Sequence, residues 1–375
     1  MNTASLRAWL ALRAVRDLRD AAVCRLVQAF GSPEAVRAAS TEALMASGGL
    51  SLGVAKAIQA APDAETARGI EDQLKMVERL RLSVVTCLDP VYPPRLRQIA
   101  DPPPVLYVSG TLEETDHQAV AIVGSRQATA AGRVLTERLS RELASVGFTI
   151  VSGLAHGIDA AAHRGALSAP GRTVAVLGCG VDRTYPPDHQ ALRKQIESRG
   201  AVISEFPLGS YPHAYHFPRR NRIISGMSLG VLVTEAAAQS GSLITARLAA
   251  EQGREVFAVP GFIGEKNSHG PNGLIKQGAK LVEQVEDIIQ ELLPQLDGPF
   301  QERLQRRPAP RAEARPRLGT DEAAVYDLLA PGPTHIDDLI AKTGLPAANV
   351  SSALLSIELK GLIRQLPGHS YIRML

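Results

Sequence analysis

Ala119-Val120-Ala121-Ile122-Val123, followed at once by Gly124-Ser125-Arg126, is the stretch that decides the fold. Five apolar residues, three of them β-branched, suit a strand buried on both faces. Similar short runs recur at Thr149–Ser152, Thr173–Leu177, Ala201–Ser204, Leu229–Thr234 and Glu255–Val259. Helical stretches such as Val134–Val146 and Leu243–Gln252 lie between most of them. Continuous apolar strands alternating with helices predict an α/β domain over residues 86–296. Its expected form is a Rossmann-like, doubly wound, mostly parallel sheet with helices on both faces.

The flanks read differently. Residues 1–85 carry Leu and Ala at helical spacing, broken at Gly31-Ser32-Pro33 and Gly48-Gly49, which predicts an all-helical module. Leu44 through Ile58 has the outline of a helix-hairpin-helix, whose turn can offer N–H groups to a DNA phosphate. A single Gly-Gly turn is cheap, the module's charges nearly cancel, and a plain helical turn is the favoured reading. Residues 297–317 are Pro- and Arg-rich, a composition that builds no core and predicts a linker. Residues 318–375 read helix, helix, helix, wing: Asp321–Leu329, Ile336–Thr343, Ala347–Lys360 and Ile363–Arg373, a winged helix. That segment has four basic residues against six acidic, a balance of −2, and its third helix offers no Arg. A DNA reader needs a basic face, so a protein-interaction or packing module is expected.

At 375 residues the chain can build several domains, and 45% hydrophobic with 21% charged residues is the composition of a soluble globular protein. No apolar run approaches the roughly 18 residues of a membrane span, and no secretory segment is recognisable, so no membrane association is expected. Cys24, Cys87 and Cys179 are far apart and form no Cys-x-x-Cys pair, which fits a reducing cytoplasm without zinc or disulfides. The net charge of +3 decides nothing about partners.

Ligands of open parallel sheets bind beyond the carboxyl ends of the strands. Three loops there carry Gly or Ser near an expected helix start: Gly124-Ser125-Arg126, Gly153 to Asp159, and Ser240-Gly241-Ser242. Free N–H groups and the helix dipole at such starts favour an anion. No Gly-x-x-x-x-Gly-Lys-Ser/Thr motif exists, which argues against an ATPase. Gly178-Cys179-Gly180 imitates a dinucleotide fingerprint, but Tyr185-Pro186-Pro187 would break the helix that should follow. His156, His163, Asp159 and Glu235 could serve acid–base chemistry, yet a cap, a dipole partner or a helix-face residue accounts for them. No nucleophile motif or metal-type cluster accompanies them.

Between Glu205 and Glu235 there is no acidic residue, and within that span Tyr211 to Gly226 gathers aromatic rings with Arg219, Arg220, Asn221 and Arg222. Arginine forks and aromatic faces suit a polyanion that carries flat bases. Pro212 and Pro218 hold the segment extended and predict a helix beginning near Arg219. Arginines at a helix start oppose the dipole, which points to an anionic partner or to an acidic neighbour from elsewhere in the chain.

These motifs together resemble the DprA/Smf family of bacterial DNA-processing proteins. The resemblance rests on Gly124–Arg126, Ser152–His163, Thr173–Leu177, Tyr185-Pro186, Ser204–Gly209, Phe217–Ile224, Ser240–Ala246 and Val256–Gly261, in that order. It implies an N-terminal SAM-like domain, a Rossmann-like domain with a basic pocket for single-stranded DNA, and in some members a winged helix. It also implies a homodimer that hands DNA to the RecA recombinase in natural transformation and recombination, without catalysis, metal or cofactor. Arg126 would hold a phosphate, Phe217 would stack a base, and Arg219, Asn221 and Arg222 would line the pocket or fix its wall. The full candidate set is Gly124, Ser125, Arg126, Ser152, Gly153, Gly157, Phe217, Arg219, Arg220, Asn221, Arg222, Ser240, Gly241 and Ser242. Many relatives have a basic residue after Tyr-Pro, where this chain has Pro187-Asp188. The competing expectation is an enzyme acting on nucleoside monophosphates at the same Gly/Ser anion site.

Overall fold

The computed structural model describes residues 3–305, 318–329 and 332–373. Residues 306–317 of the expected linker lie outside the described residues, whereas Gly298–Gln305 are helical and bury Phe300 against Phe148, so the sheet domain extends past residue 296. The helical module comprises α1 (Thr3–Arg13), α2 (Asp20–Phe30), α3 (Pro33–Ala38), α4 (Thr41–Gly48), α5 (Leu52–Gln59) and α6 (Ala64–Arg79). Serine or aspartate side chains cap α3 to α6, each accepting from a backbone N–H of the first turn.

The large sheet contains β1 (Ser83–Thr86), β2 (Val105–Gly110), β3 (Ala119–Val123), β4 (Thr149–Ser152), β5 (Thr173–Val176), β6 (Ala201–Ser204), β7 (Gly230–Val233), β8 (Glu255–Ala258) and β9 (Lys280–Leu281). Around it lie α7 (Pro94–Arg97), α8 (Ala130–Ser145), α9 (Ile158–Ser168), α10 (Gln190–Arg199), α11 (His216–Met227), α12 (Gly241–Glu251), α13 (His269–Lys276), α14 (Val285–Leu292) and α15 (Gly298–Gln305). Strand order is β1-β2-β6-β5-β4-β3-β7-β8-β9. Pairing is parallel from β6 to β9, while β2 joins β6 antiparallel and β1 joins β2 antiparallel. Every residue of β3 to β7 is buried, as strands covered on both faces require.

The six expected strands are all present. The expectation of helices alone up to residue 85 missed β1, and β2 was missed as well. Both lie at the antiparallel edge, where the alternation of strand and helix is absent. From β3 the chain winds one way through β4, β5 and β6, then returns to the other side of β3 as β7. The switch point of the sheet therefore falls between β3 and β7.

The third unit has α16 (Thr320–Leu328), β10 (Thr334–His335), α17 (Ile336–Thr343), α18 (Ala347–Leu359), β11 (Ile363–Leu366) and β12 (Ser370–Arg373). Its small sheet runs β10-β12-β11 and encloses its own core of Val325, Leu339, Val350, Leu354 and Ile357. This is the expected winged helix.

One buried group makes the sheet domain sensitive to acid. His163 on α9 is fully buried, and its Nδ1 lies 2.7 Å from Thr173 Oγ1, whose hydroxyl donates to Ile150 O. Thr173 must therefore accept from Nδ1–H, leaving Nε2 buried without a partner among the described residues. Burial first, then the charges of His189, Arg220 and Arg164, lower its pKa from 6.5 to about 3. A depressed histidine contributes stability that is present above pH 6.5 and lost as pH falls towards 3. The expected loss is about 1.4 kcal/mol per pH unit inside that window. Urea denaturation between neutral and acidic pH should show this slope, and His163→Asn should remove it.

Candidate nucleic-acid interface

The switch point opens into a cleft of about 1070 Å³. Its walls are the loop after β3 (Gly124 to Gln127), the loop after β7 leading into α12 (Ala237 to Ser242), and one face of α11. Ala155, Asp159 and Tyr185 close one side, and Lys266, Asn267 and His269 the other.

Helix α11 divides its side chains by helical spacing. Phe217, Arg220, Asn221 and Ile224, at i, i+3, i+4 and i+7, face the cleft. Arg219 and Arg222 leave on another face and do not line it. The helix begins at His216, earlier than expected, because Pro218 sits within the first turn, where no intrahelical N–H bond is lost.

Arg220 forms the floor. It is 4% exposed, and its Nη1 donates to Gly153 O at 2.8 Å and to Val176 O. Burial pushes its pKa down to about 10, against the pull of Asp159, so it stays charged at neutral pH. Asp159 is buried as well, and its Oδ2 accepts from Gly153 N at 3.2 Å and Ala155 N at 3.3 Å. Burial raises its pKa, while Arg220 and those amides oppose the rise. Arg220 thus ties the ends of β4 and β5 to α11, and Asp159 ties the loop after β4 to α9.

Three helix starts were expected to offer free N–H groups; one opens on the cleft. Glu235 covers the start of α8: its carboxylate accepts from Thr129 N at 2.9 Å, Thr129 Oγ1 at 2.5 Å and Asn267 Nδ2 at 3.3 Å. Asp159 and the Ser125 carbonyl take the N–H groups around the start of α9, including Ile158 N at 3.2 Å. The protein's own oxygens thus fill two anion positions. At α12, Ser240 caps the helix and Gly241 is exposed with open space where a side chain would stand. This start retains its positive end for a ligand.

Of the candidate residues, Gly124, Ser125, Arg126, Phe217, Arg220, Asn221, Ser240, Gly241 and Ser242 meet at the cleft. Ser152, Gly153 and Gly157 do not line it. Ser152 is buried and donates to Ile122 O at 2.7 Å. Gly157 has φ +73, and a side chain there would collide with Ser125 O, so it shapes the neighbouring loop. Asn221 donates to Gly241 O at 3.3 Å and ties α11 to α12.

Arg219 and Arg222 find acids from outside the acid-free stretch. Arg222 Nη2 lies 2.6 Å from Glu205 Oε2 and its Nε 3.4 Å from Asp101. Arg219 Nη2 lies 2.8 Å from Asp20 and 3.2 Å from Glu205. Asp20 starts α2, so this cluster, buried at Glu205 and Arg222 and open to solvent at Arg219 and Asp101, fastens the helical module to α11. The acidic neighbour left open by the sequence is therefore part of the fold.

Arg126 is exposed and has no carboxylate partner among the described residues. Its guanidinium carbon stands 5.3 Å from the centroid of Phe217, a half-buried ring that packs over Gly178 and lies 5.5 Å from Tyr185. Tyr215, two residues before Phe217, is 70% exposed. Lys266, Asn267 and His269 escaped the sequence reading. They follow β8, whose loop opens at the same carboxyl end of the sheet as the loops after β3 and β7, and that shared position is the signal that marks them. Gly178-Cys179-Gly180 forms a structural loop, with Gly180 N bonded to Ser210 O and Ser204 Oγ to Cys179 O. No described helix is long and apolar enough to cross a membrane.

Fold and site define a three-part α/β protein with a basic, aromatic-walled cleft at the switch point of its sheet. A family model described as DNA recombination-mediator protein A matches residues 83–293, and one described as DprA winged helix domain matches 308–369. Protein Smf of Escherichia coli is 42% identical over 318 residues, covering 82% of this chain and 81% of Smf. DNA processing protein DprA of Bacillus subtilis is 44% identical over 202 residues, 54% of this chain and 68% of that protein. The X-ray structure of DprA from Streptococcus pneumoniae matches with a TM-score of 0.65 at 33% identity, over 76% of this chain and 97% of that one. DprA from Helicobacter pylori, whose structure concerns its single-stranded DNA binding mode, matches with a TM-score of 0.52 at 31% identity, over 58% of this chain and 99% of that one. The chain belongs to the DprA/Smf family of DNA recombination mediators.

Removing Asp159 leaves the Gly153 and Ala155 N–H groups unpaired and withdraws the charge that eases the burial of Arg220, so Asp159→Ala should destabilise the sheet domain by about 1–3 kcal/mol. Arg220→Met strands Asp159 in turn, and the double variant should lose less than the sum of the two. A urea-denaturation cycle measures that coupling.

Proposed function

We propose that the chain binds single-stranded DNA in the switch-point cleft, as a homodimer in the cytoplasm, and hands it to the RecA recombinase during natural transformation and recombination. The observation that carries this reading is the exposed Arg126 guanidinium against the Phe217 ring at the cleft. Arg126 meets a phosphate, Phe217 and Tyr185 offer ring faces to bases, and the start of α12 takes a second phosphate. Asn221 and Arg220 hold the wall and floor, while Arg219 and Arg222 join the helical module to the sheet. The single-strand binding of the Helicobacter pylori relative supports the reading.

The proposed action is non-catalytic. Glu235, the carboxylate that a nucleotide-processing enzyme would need as base, is tied to Thr129 and Asn267 and serves as a helix cap. The winged helix is assigned to protein contacts. Its third helix, α18, exposes Leu355 and Leu359, and Lys360 beyond it is paired with Glu322 at 2.5 Å.

Binding to single- and double-stranded oligonucleotides across a salt series tests the cleft. Single strands should be preferred, with a log–log slope of about −0.7 per phosphate contacted. Arg126→Ala should weaken binding to every sequence alike and reduce the magnitude of the slope by about one such increment. Phe217→Ala should cost about 1–3 kcal/mol with little change in slope. Unchanged affinity in both variants would place the DNA elsewhere. RecA assembly on single strands covered by a single-strand-binding protein, measured with and without this chain, tests the hand-off.

A further inference from the structure

Beside the cleft, two loops bring together three side chains that no local sequence pattern joins. His156 lies between β4 and α9, and Asp188 and His189 lie just before α10. One ring nitrogen or carboxylate oxygen from each lies within 4.8 Å of the other two. His156 Nδ1 stands 3.7 Å from Asp188 Oδ2, and the two imidazole rings meet edge to face at 4.8 Å.

His189 is the anchored member. It is 5% exposed, and its Nδ1 lies 2.9 Å from the Leu154 carbonyl. A carbonyl only accepts, so Nδ1 carries the proton and the neutral ring keeps its lone pair on Nε2. Metal-binding histidines are oriented in this way, by giving the other N–H to a backbone oxygen. Leu154 adopts φ +59, an uncommon conformation for a residue with a side chain, in the loop that supplies this oxygen. His156 and Asp188 are exposed and can close the remaining distance by changing rotamer. The start of α10 opposes a bare cation through its dipole, and the Asp188 carboxylate supplies the compensating charge.

We infer that His156, Asp188 and His189 form a binding site for a first-row divalent transition-metal ion, with zinc as the reference case. Two imidazoles and one carboxylate are the donor set such ions take, leaving further positions to water or ligand. Magnesium and calcium, which demand oxygen donors, fit it poorly. Ala155 and Tyr185 both line the cleft, so a dication here adds positive charge at the cleft's rim.

The test uses the full, untagged chain freed of metal. Titration with Co²⁺, followed by its visible d–d absorption, and with Zn²⁺, followed by calorimetry, should each show one equivalent bound with micromolar affinity. His156→Ala and Asp188→Asn alter exposed side chains; each should retain the native circular dichroism spectrum and bind at least about 10-fold more weakly. Excess Mg²⁺ should not compete. The proposal is overturned if the wild-type chain takes up no metal from micromolar solution. It is equally overturned if both variants bind as the wild type does.

Discussion

The burial of two opposite charges, Arg220 and Asp159, around Gly153 is the constraint on which the rest of the site depends. Each is held by backbone groups, and the charge of each eases the burial of the other. Arg220 also takes the Gly153 and Val176 carbonyls at the ends of β4 and β5, while Asp159 takes the amides of Gly153 and Ala155. Two strands, a loop and two helices thus meet on two buried charges that bond to opposite sides of Gly153. The position of α11 follows from it, and with α11 the height of Phe217 above Gly178 and its reach to Arg126.

The cleft's electrostatics come from subtraction as much as from supply. The acid-free stretch looks strongly basic in sequence, but its arginines are consumed at different depths. Arg220 goes to the floor, and Arg219 and Arg222 go to Glu205, Asp20 and Asp101 at the seam with the helical module. Glu235 and Asp159 likewise occupy two of the three helix starts. What remains towards the solvent is Arg126, Lys266, the open end of α12 and the aromatic wall. A site of this kind combines few charges with stacking surfaces, and its attraction for a flexible polyanion rests on both.

Much of the architecture was legible because the signals are local. The runs at 119–123, 149–152 and 201–204 announce buried parallel strands from five or fewer residues. The winged helix is readable from helical spacing in the same way. β1 and β2 escaped, since antiparallel edge strands without intervening crossover helices lack that rhythm. The Gly124, Ser240 and Phe217 segments were recognisable as candidates one by one, whereas Lys266, Asn267 and His269 carry no local signature.

By itself the sequence determined which segments become strands and helices, that their carboxyl ends gather Gly, Ser, Arg and aromatic residues, and which family's motif order they follow. Only the tertiary structure decided what each charge does. Helical phase sends Arg220 one way and Arg219 and Arg222 another, and packing brings Asp20, Asp101 and Glu205 to meet the latter two. The same packing places His156 against Asp188 and His189 across more than thirty positions of chain. Secondary structure follows from neighbours a few residues apart, but the worth of a charge depends on what stands within a few ångströms of it. In a doubly wound sheet those neighbours come from distant parts of the chain.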